Sequence, residues 1–235
     1  MLEQTHDNRS TLQLESILFS TAFAAGAVDI LGFVDLGGVF ASAMTGNFAL
    51  LAYHVAQANW HSAIASVIAL LGFVSGCVIG FTLKRGRAER ATIRLLLGTE
   101  AVLLLVFACY SLWGTQITHV SGYATRLQIV ALAIAMGLQA VVGQMTSLPT
   151  IVFTTTLTRL VGGITDSIAT RNVAALHDIR VQFALVASYL LGALLAGVLA
   201  VHLVREVVFL PMLAVGVALA AHLGGRGRIQ HSARN

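Results

Sequence analysis

Two carboxylates, Asp29 and Asp35, lie in a stretch from Gly26 to Ala52 that is otherwise almost wholly apolar and also holds a polar knot, Thr45-Gly46-Asn47. Such groups could balance a cation, exchange a proton or hydrogen-bond a small polar solute. A second set follows later in the chain: Gln139, then Thr154, Thr155 and Thr156, then Arg159. Asp29 reads as the coupling or cation-balancing carboxylate. Thr45, Asn47, Gln139 and Thr154–Thr156 would supply polar contacts, and Arg159 a counter-charge. The plainer alternative makes Asp29 a hydrogen-bonding group at the start of a broken helix, with no solute. Asp35 reads as solvated at the outer interface, and Asp166 with Arg171 as a cytoplasmic mouth.

No enzyme chemistry is expected. The chain has no G-x-S-x-G, no H-E-x-x-H and no phosphate loop. Cys77 and Cys109 sit in apolar stretches without ligands spaced around them, so neither a metal nor another cofactor is implied. His54 and His61 flank a short turn and read as interfacial. Of Gln128, Gln139 and Gln144, only Gln139 is deep enough in its segment to matter.

The elements that position these groups follow from composition. Of 235 residues, 57% are hydrophobic and 10% charged, with a mean hydropathy of +0.85. Soluble domains carry about 25% charged residues, so this is an all-α integral membrane protein whose first partner is the lipid bilayer. A central Asp costs about 2.5–3.5 kcal/mol on insertion scales, so the fold must compensate Asp29. The net charge of +4 is placed between apolar segments, where it sets orientation, and no nucleic-acid partner is implied. The polar N-terminal stretch lacks the pattern of a signal peptide, so the first apolar segment is expected to remain as a helix.

Six segments meet the requirement of about 20 apolar residues for a span: 14–36, 62–83, 93–113, 127–146, 181–204 and 207–223. Two more, 39–58 and 151–170, are punctuated by polar groups and read as broken or re-entrant. The run KRGRAERATIR from Lys84 is the strongest cytoplasmic mark. If both broken elements re-enter, Arg9, the Arg159/Arg171/Arg180 region and Arg226/Arg228 all join it inside. Arg126 and Arg205 alone stay outside, and both termini are cytoplasmic.

An internal repeat is also expected. LLGFVSGCVIG from Leu70 resembles LLGALLAGVLA from Leu190, which sets Gly72, Gly76 and Gly80 against Gly192, Ala196 and Ala200. Met44-Thr45-Gly46-Asn47 aligns with Phe153-Thr154-Thr155-Thr156, and Asp29 with Gln139, the insertion falling near 171–178. Repeat one covers about 14–113 and repeat two about 127–223 of a single transmembrane domain (1–225), followed by a short polar tail, 226–235. Three crossings per half invert the second copy. Gly72, Gly76 and Gly80, with Gly192 and Ala196 opposite, let backbones approach closely. Asn47 and Thr156 are placed as N-caps of the re-entrant helices.

The run AGAVDILGFVDLGGVFASAMTGN, with MGLQAVVGQ and TTTLTRL, resembles the YoaK-like family of small bacterial inner-membrane proteins over nearly the whole chain. Thr155 stands where that pattern usually has glycine, and Ala140 where an Asn commonly follows Gln139. The resemblance implies a multi-pass membrane protein of the cell inner membrane and supplies no substrate. Together these features suggest a small transporter or permease for an unidentified small solute, cation- or proton-coupled. The alternative is a non-transporting scaffold or lipid-binding protein. A homo-oligomer stays open.

The topology has a direct test. Single cysteines at Ala58 and at Arg87, in a background without Cys77 and Cys109, should label from opposite sides of the membrane. Labelling of Ala58 from the cytoplasm would restore a full crossing for 39–58.

Overall fold

The computed structural model describes residues 2–117, 122–146, 153–170, 176–203 and 206–224. Arg171, Arg205 and the tail 226–235 lie outside them. The described residues form eight α-helices: α1 (Leu2–Asp35), α2 (Met44–Ala56), α3 (Trp60–Lys84), α4 (Glu89–Ile117), α5 (Gly122–Met145), α6 (Phe153–Thr170), α7 (Leu176–His202) and α8 (Phe209–Gly224). The all-α expectation holds.

Five helices are long and apolar enough to cross a bilayer, with apolar stretches Gln13–Asp35, Trp60–Lys84, Glu89–Leu112, Gly122–Met145 and Leu176–His202. The sixth expected span, α8, has 16 residues. At 1.5 Å per residue it is about 24 Å long, short of a core of about 30 Å. The 13 residues of α2 reach only about 20 Å. Turns are set locally: Asn59 caps α3 by accepting the Ser62 N–H at 3.3 Å, and Gly86 turns the chain into α4 with φ +71°.

The bundle has two inner helices. Two-thirds (67%) of the apolar window of α1 and 61% of that of α5 are buried inside the protein, against 17% for α7. Around them the packed pairs are α1 with α7 and α8, α5 with α3 and α4, α2 with α3, α6 with α7, α4 with α8, α3 with α4, and α1 with α5. Exchanging α1 for α5, α2 for α6, α3 for α7 and α4 for α8 maps this set onto itself. The α3–α4 contact has no counterpart of similar extent among the described residues.

The tightest contacts obey the same exchange. A side chain at Gly26 would strike the Tyr189 carbonyl and the Ala193 amide, and one at Gly192 the Phe23 carbonyl. In the other half, Gly137 faces the Phe73 carbonyl and the Cys77 amide, and Gly76 the Ile134 carbonyl. Phe23 and Gly26 thus take the places that Ile134 and Gly137 hold 111 positions later. Phe73, Gly76 and Cys77 correspond to Tyr189, Gly192 and Ala193, 116 positions later. The sequence alignment had set Gly72 against Gly192; the structure shifts that register by one turn, because backbone contact and not apolar likeness fixes it. Asp29 then corresponds to Ala140, one residue past Gln139.

Two substitutions separate packing from helix propensity. Gly76→Ala should destabilise by roughly 1–3 kcal/mol, since the obstructing Ile134 carbonyl is backbone and cannot rotate away. Gly98→Ala, in α4 with nothing within 4 Å of a new side chain, should be neutral or stabilising by up to about 1 kcal/mol. Melting temperatures of the purified variants in one detergent check this; equal values would place the Gly76 face against lipid.

Candidate functional site

After α1 the chain folds back on itself. Gly37 and Gly38, with φ +89° and +79°, make the reversal, and they occupy backbone that side-chain-bearing residues avoid. Gly32 lets the returning chain lie against α1, because a side chain there would meet the Val39 carbonyl. Ser42 is thereby carried back to Asp29, thirteen residues earlier, before α2 starts at Met44. The three-residue connection from α2 to α3, with which it packs, makes those helices antiparallel. Residues 36–43 are therefore irregular chain that returns along α1, and residues 44–56 continue as a helix.

Two polar clamps hold this break. Asp29, 2% exposed, accepts the Ser42 N–H on Oδ1 at 2.6 Å, and on Oδ2 the Ser42 hydroxyl at 2.6 Å and the Tyr189 hydroxyl at 2.7 Å. The carboxylate thus joins α1, the break and α7, and lies at the amino-terminal end of α2, where the helix dipole favours negative charge. Asn47, fully buried, donates from Nδ2 to the Phe40 carbonyl at 2.6 Å and accepts the Phe40 N–H on Oδ1 at 2.9 Å. Its amide bonds the break as a neighbouring strand would. The Phe40 ring lies over Gly46 and stacks on Phe33, centroids 5.4 Å apart.

These contacts correct the capping expectations. Ala43 is the N-cap of α2 and Asn47 lies inside the first turn, its side chain already committed to Phe40. Thr156 likewise falls inside α6, which starts at Phe153. Both helices begin earlier than the capping pattern suggested, since Met44-Thr45-Gly46 and Phe153-Thr154-Thr155 already have helical geometry.

The remaining residues singled out from sequence divide by exposure. Thr45, Thr154, Thr155 and Arg159 are exposed, and Thr156 is buried. The element α6 packs on α7, and it makes no extensive contact with α1 or α2 among the described residues. The carboxylate of Asp29 has Ser42 and Tyr189 as partners in place of Arg159. Asp35 is exposed at the end of α1, and Asp166 is exposed on α6. Gly72, Gly76, Gly80, Gly192 and Ala196 are all buried in helix contacts.

A second polar constellation lies on the inner helices. Gln139, fully buried, donates from Nε2 to the Thr21 carbonyl at 2.9 Å and so ties α5 to α1. Its Oε1 accepts no hydrogen bond among the described residues, and neither carboxylate oxygen of the fully buried Glu100 on α4 does so either. Burying an ionised, unpaired carboxylate costs several kcal/mol, roughly, even after the protein relaxes. Sequence reasoning passed over Glu100, although it is the sole acid between Glu89 and Asp166 and sits in IRLLLGTEAVLLLV. The rule that singles out Asp29, an ionisable group in an apolar run, applies to Glu100 equally. Ser42 and Tyr189 carried no such mark.

The start of α1, the start of α4 and the end of α8 meet around a cavity of about 490 Å³, lined by Gln13, Ile17, Glu89, Arg90, Arg94 and His222 among others. His222 Nε2 lies 2.9 Å from the Arg90 carbonyl, to which it donates.

Comparison with known proteins agrees with the membrane architecture. The family model described as "Protein of unknown function (DUF1275)" matches residues 17–221. The chain is 26% identical over 218 residues to UPF0700 transmembrane protein YoaK of Bacillus subtilis (strain 168), covering 88% of this chain and 94% of that protein. No solved structure matches.

The Asp29 clamp predicts a stability effect. Asp29→Asn would turn an amide N–H₂ toward donors, leaving at least one of them unpaired, at a cost of about 1–3 kcal/mol. Tyr189→Phe removes one donor of three and should cost less. Melting temperature and proteolysis near Gly37-Gly38 measure both. An Asp29→Asn protein that melts with the wild type and resists protease equally would show that the clamp does not hold the break.

Proposed function

The chain belongs to the DUF1275 family, and on that premise we propose that it is a small secondary transporter moving an unidentified small solute across the cell inner membrane. In this reading six helices span, α2 and α6 belong to re-entrant elements, and the two halves form an inverted repeat with both termini cytoplasmic. The observation that carries it is the exchange of packed pairs between α1–α4 and α5–α8, with backbone-to-glycine contacts that repeat in both halves. Transporters built this way place broken helices where the halves meet and rock one unit against the other. The Asp29–Ser42–Tyr189 clamp suits such a hinge, since it fastens a broken element of the first half to α7 of the second. The shared cavity at the ends of α1, α4 and α8 supports placing the N-terminal end and the basic run from Lys84 on one side. The proposed role involves no chemistry on the solute.

A groove of about 500 Å³ between α4 and α8, lined by apolar residues including Val102, Leu105, Leu213 and Val217, favours the second reading, a lipid-binding membrane protein without transport.

Counterflow separates the two. Purified protein in liposomes, tested against a panel of small polar solutes, should exchange at least one faster than empty vesicles. Asn47→Leu, which releases the Phe40 backbone, should slow that exchange several-fold at matched reconstitution. Failure to exchange any solute, with a bound lipid retained through purification, would favour the lipid-binding reading.

A further inference from the structure

Glu100 belongs to neither clamp. Ile93, Leu96, Leu97, Glu100 and Leu104 are buried at spacings of three and four, so they form one face of α4. Leu96 and Leu97 pack in one apolar cluster with Ile17, Leu138 and Val142. Leu104 and Phe107 pack in another with Ala135 and Met136. Glu100 lies between those positions on α4, at the junction of the two clusters. Gln139 lies on α5, which packs against α4, beside Leu138 and Val141 of the first cluster. Each brings acceptor oxygens without a hydrogen-bond donor among the described residues.

Two carboxylate oxygens without a donor among the described residues define what Glu100 needs. A hard metal cation takes six or more oxygen ligands, and no group of three His, Cys, Asp or Glu side chains gathers among the described residues. A proton needs one oxygen, and a protonated carboxyl becomes a donor itself. We propose that Glu100 carries an exchangeable proton inside the bundle, taken up from the cavity at the α1, α4 and α8 ends. In the transport reading, on which this last step rests, Glu100 and not Asp29 is then the coupling carboxyl.

The route is short and closed. Ile17 and Ile93 are common to the cavity lining and the first cluster. Glu100 lies seven residues beyond Ile93, about 10 Å along the helix. Leu96 and Leu97, both fully buried, fill the intervening turn, so the proton passes only when that plug opens. No ion pair or hydrogen bond ties a charged group to Glu100 among the described residues. Its own helix bears Arg90 and Arg94 at the cavity. From the elements packed against α4, α8 contributes His222, bonded to Arg90; α5 contributes Tyr123 and Arg126 in its first turns; and α3 contributes His61, Cys77 and Lys84. Asp29 on α1 is committed to Ser42 and Tyr189.

Infrared spectroscopy of the purified protein in lipid vesicles tests this without a known solute. The wild type should show the C=O stretch of a buried protonated carboxyl that shifts in D₂O and fades at alkaline pH. Glu100→Gln should lose that band, Glu100→Asp should keep one at a displaced frequency, and Asp35→Asn should leave it in place. Leu97→Ala should speed the D₂O shift several-fold. The proposal is overturned if the band survives in Glu100→Gln, or if the wild-type band never exchanges in D₂O and Leu97→Ala does not release it. A protein that moves no solute but passes these measurements loses the transport reading and keeps the proton site.

Discussion

Inside a bilayer a broken helix has no water to complete its hydrogen bonds, and each unpaired backbone group costs several kcal/mol. The structure around residues 36–43 depends on that constraint. An interruption between α1 and α2 has to bring its own acceptors and donors. Asp29 meets the free N–H at Ser42, and the Asn47 amide meets both backbone groups of Phe40. The polar residues in an otherwise apolar stretch are thus the means by which the chain can leave helical geometry inside the packed bundle.

A second constraint acts between helices. In lipid there is little hydrophobic gain from pairing, so close approach has to supply the attraction through dispersion and short backbone contacts. The contacts of Gly26 with α7 and of Gly137 with α3 supply that approach for the two inner helices. Once α1 is pressed on α7, Tyr189 comes within 2.7 Å of Asp29. The glycine contact and the clamp therefore depend on one another: close packing brings the phenol to the carboxylate, and the hydrogen bond resists separation of the same two helices.

Much of this was legible in the sequence because composition and polar interruption are local properties. Apart from α1, which starts at Leu2 well before the apolar run, the apolar stretches fall within a few residues of the helices observed, while the break lies between Leu36 and Met44, just before the polar knot at Thr45-Gly46-Asn47 that had marked it. Asp29, Asn47 and Gln139 were visible as polar groups in apolar runs, and all three are buried. Their partners were not visible. Tyr189 is 160 positions from Asp29, Thr21 is 118 from Gln139, and one of these partners is a main-chain carbonyl that any residue could provide. The register between halves was equally hidden, since Gly- and Ala-rich helices align about as well one turn out.

The two deep carboxylates differ in what surrounds them, and that difference divides the work between them. Asp29 has its oxygens filled by one backbone and two hydroxyl donors, which hold it as a hydrogen-bond-accepting brace and leave little for a solute to gain. Glu100 has lost its water and received nothing in exchange. A group that is satisfied resists change; one that is unsatisfied changes state when its surroundings open. The clamp at Asp29 is therefore suited to keeping two helices and a break together. Glu100 lies behind Leu96 and Leu97, about 10 Å along the helix from Ile93 at the cavity, and is suited to a change of protonation when that plug opens.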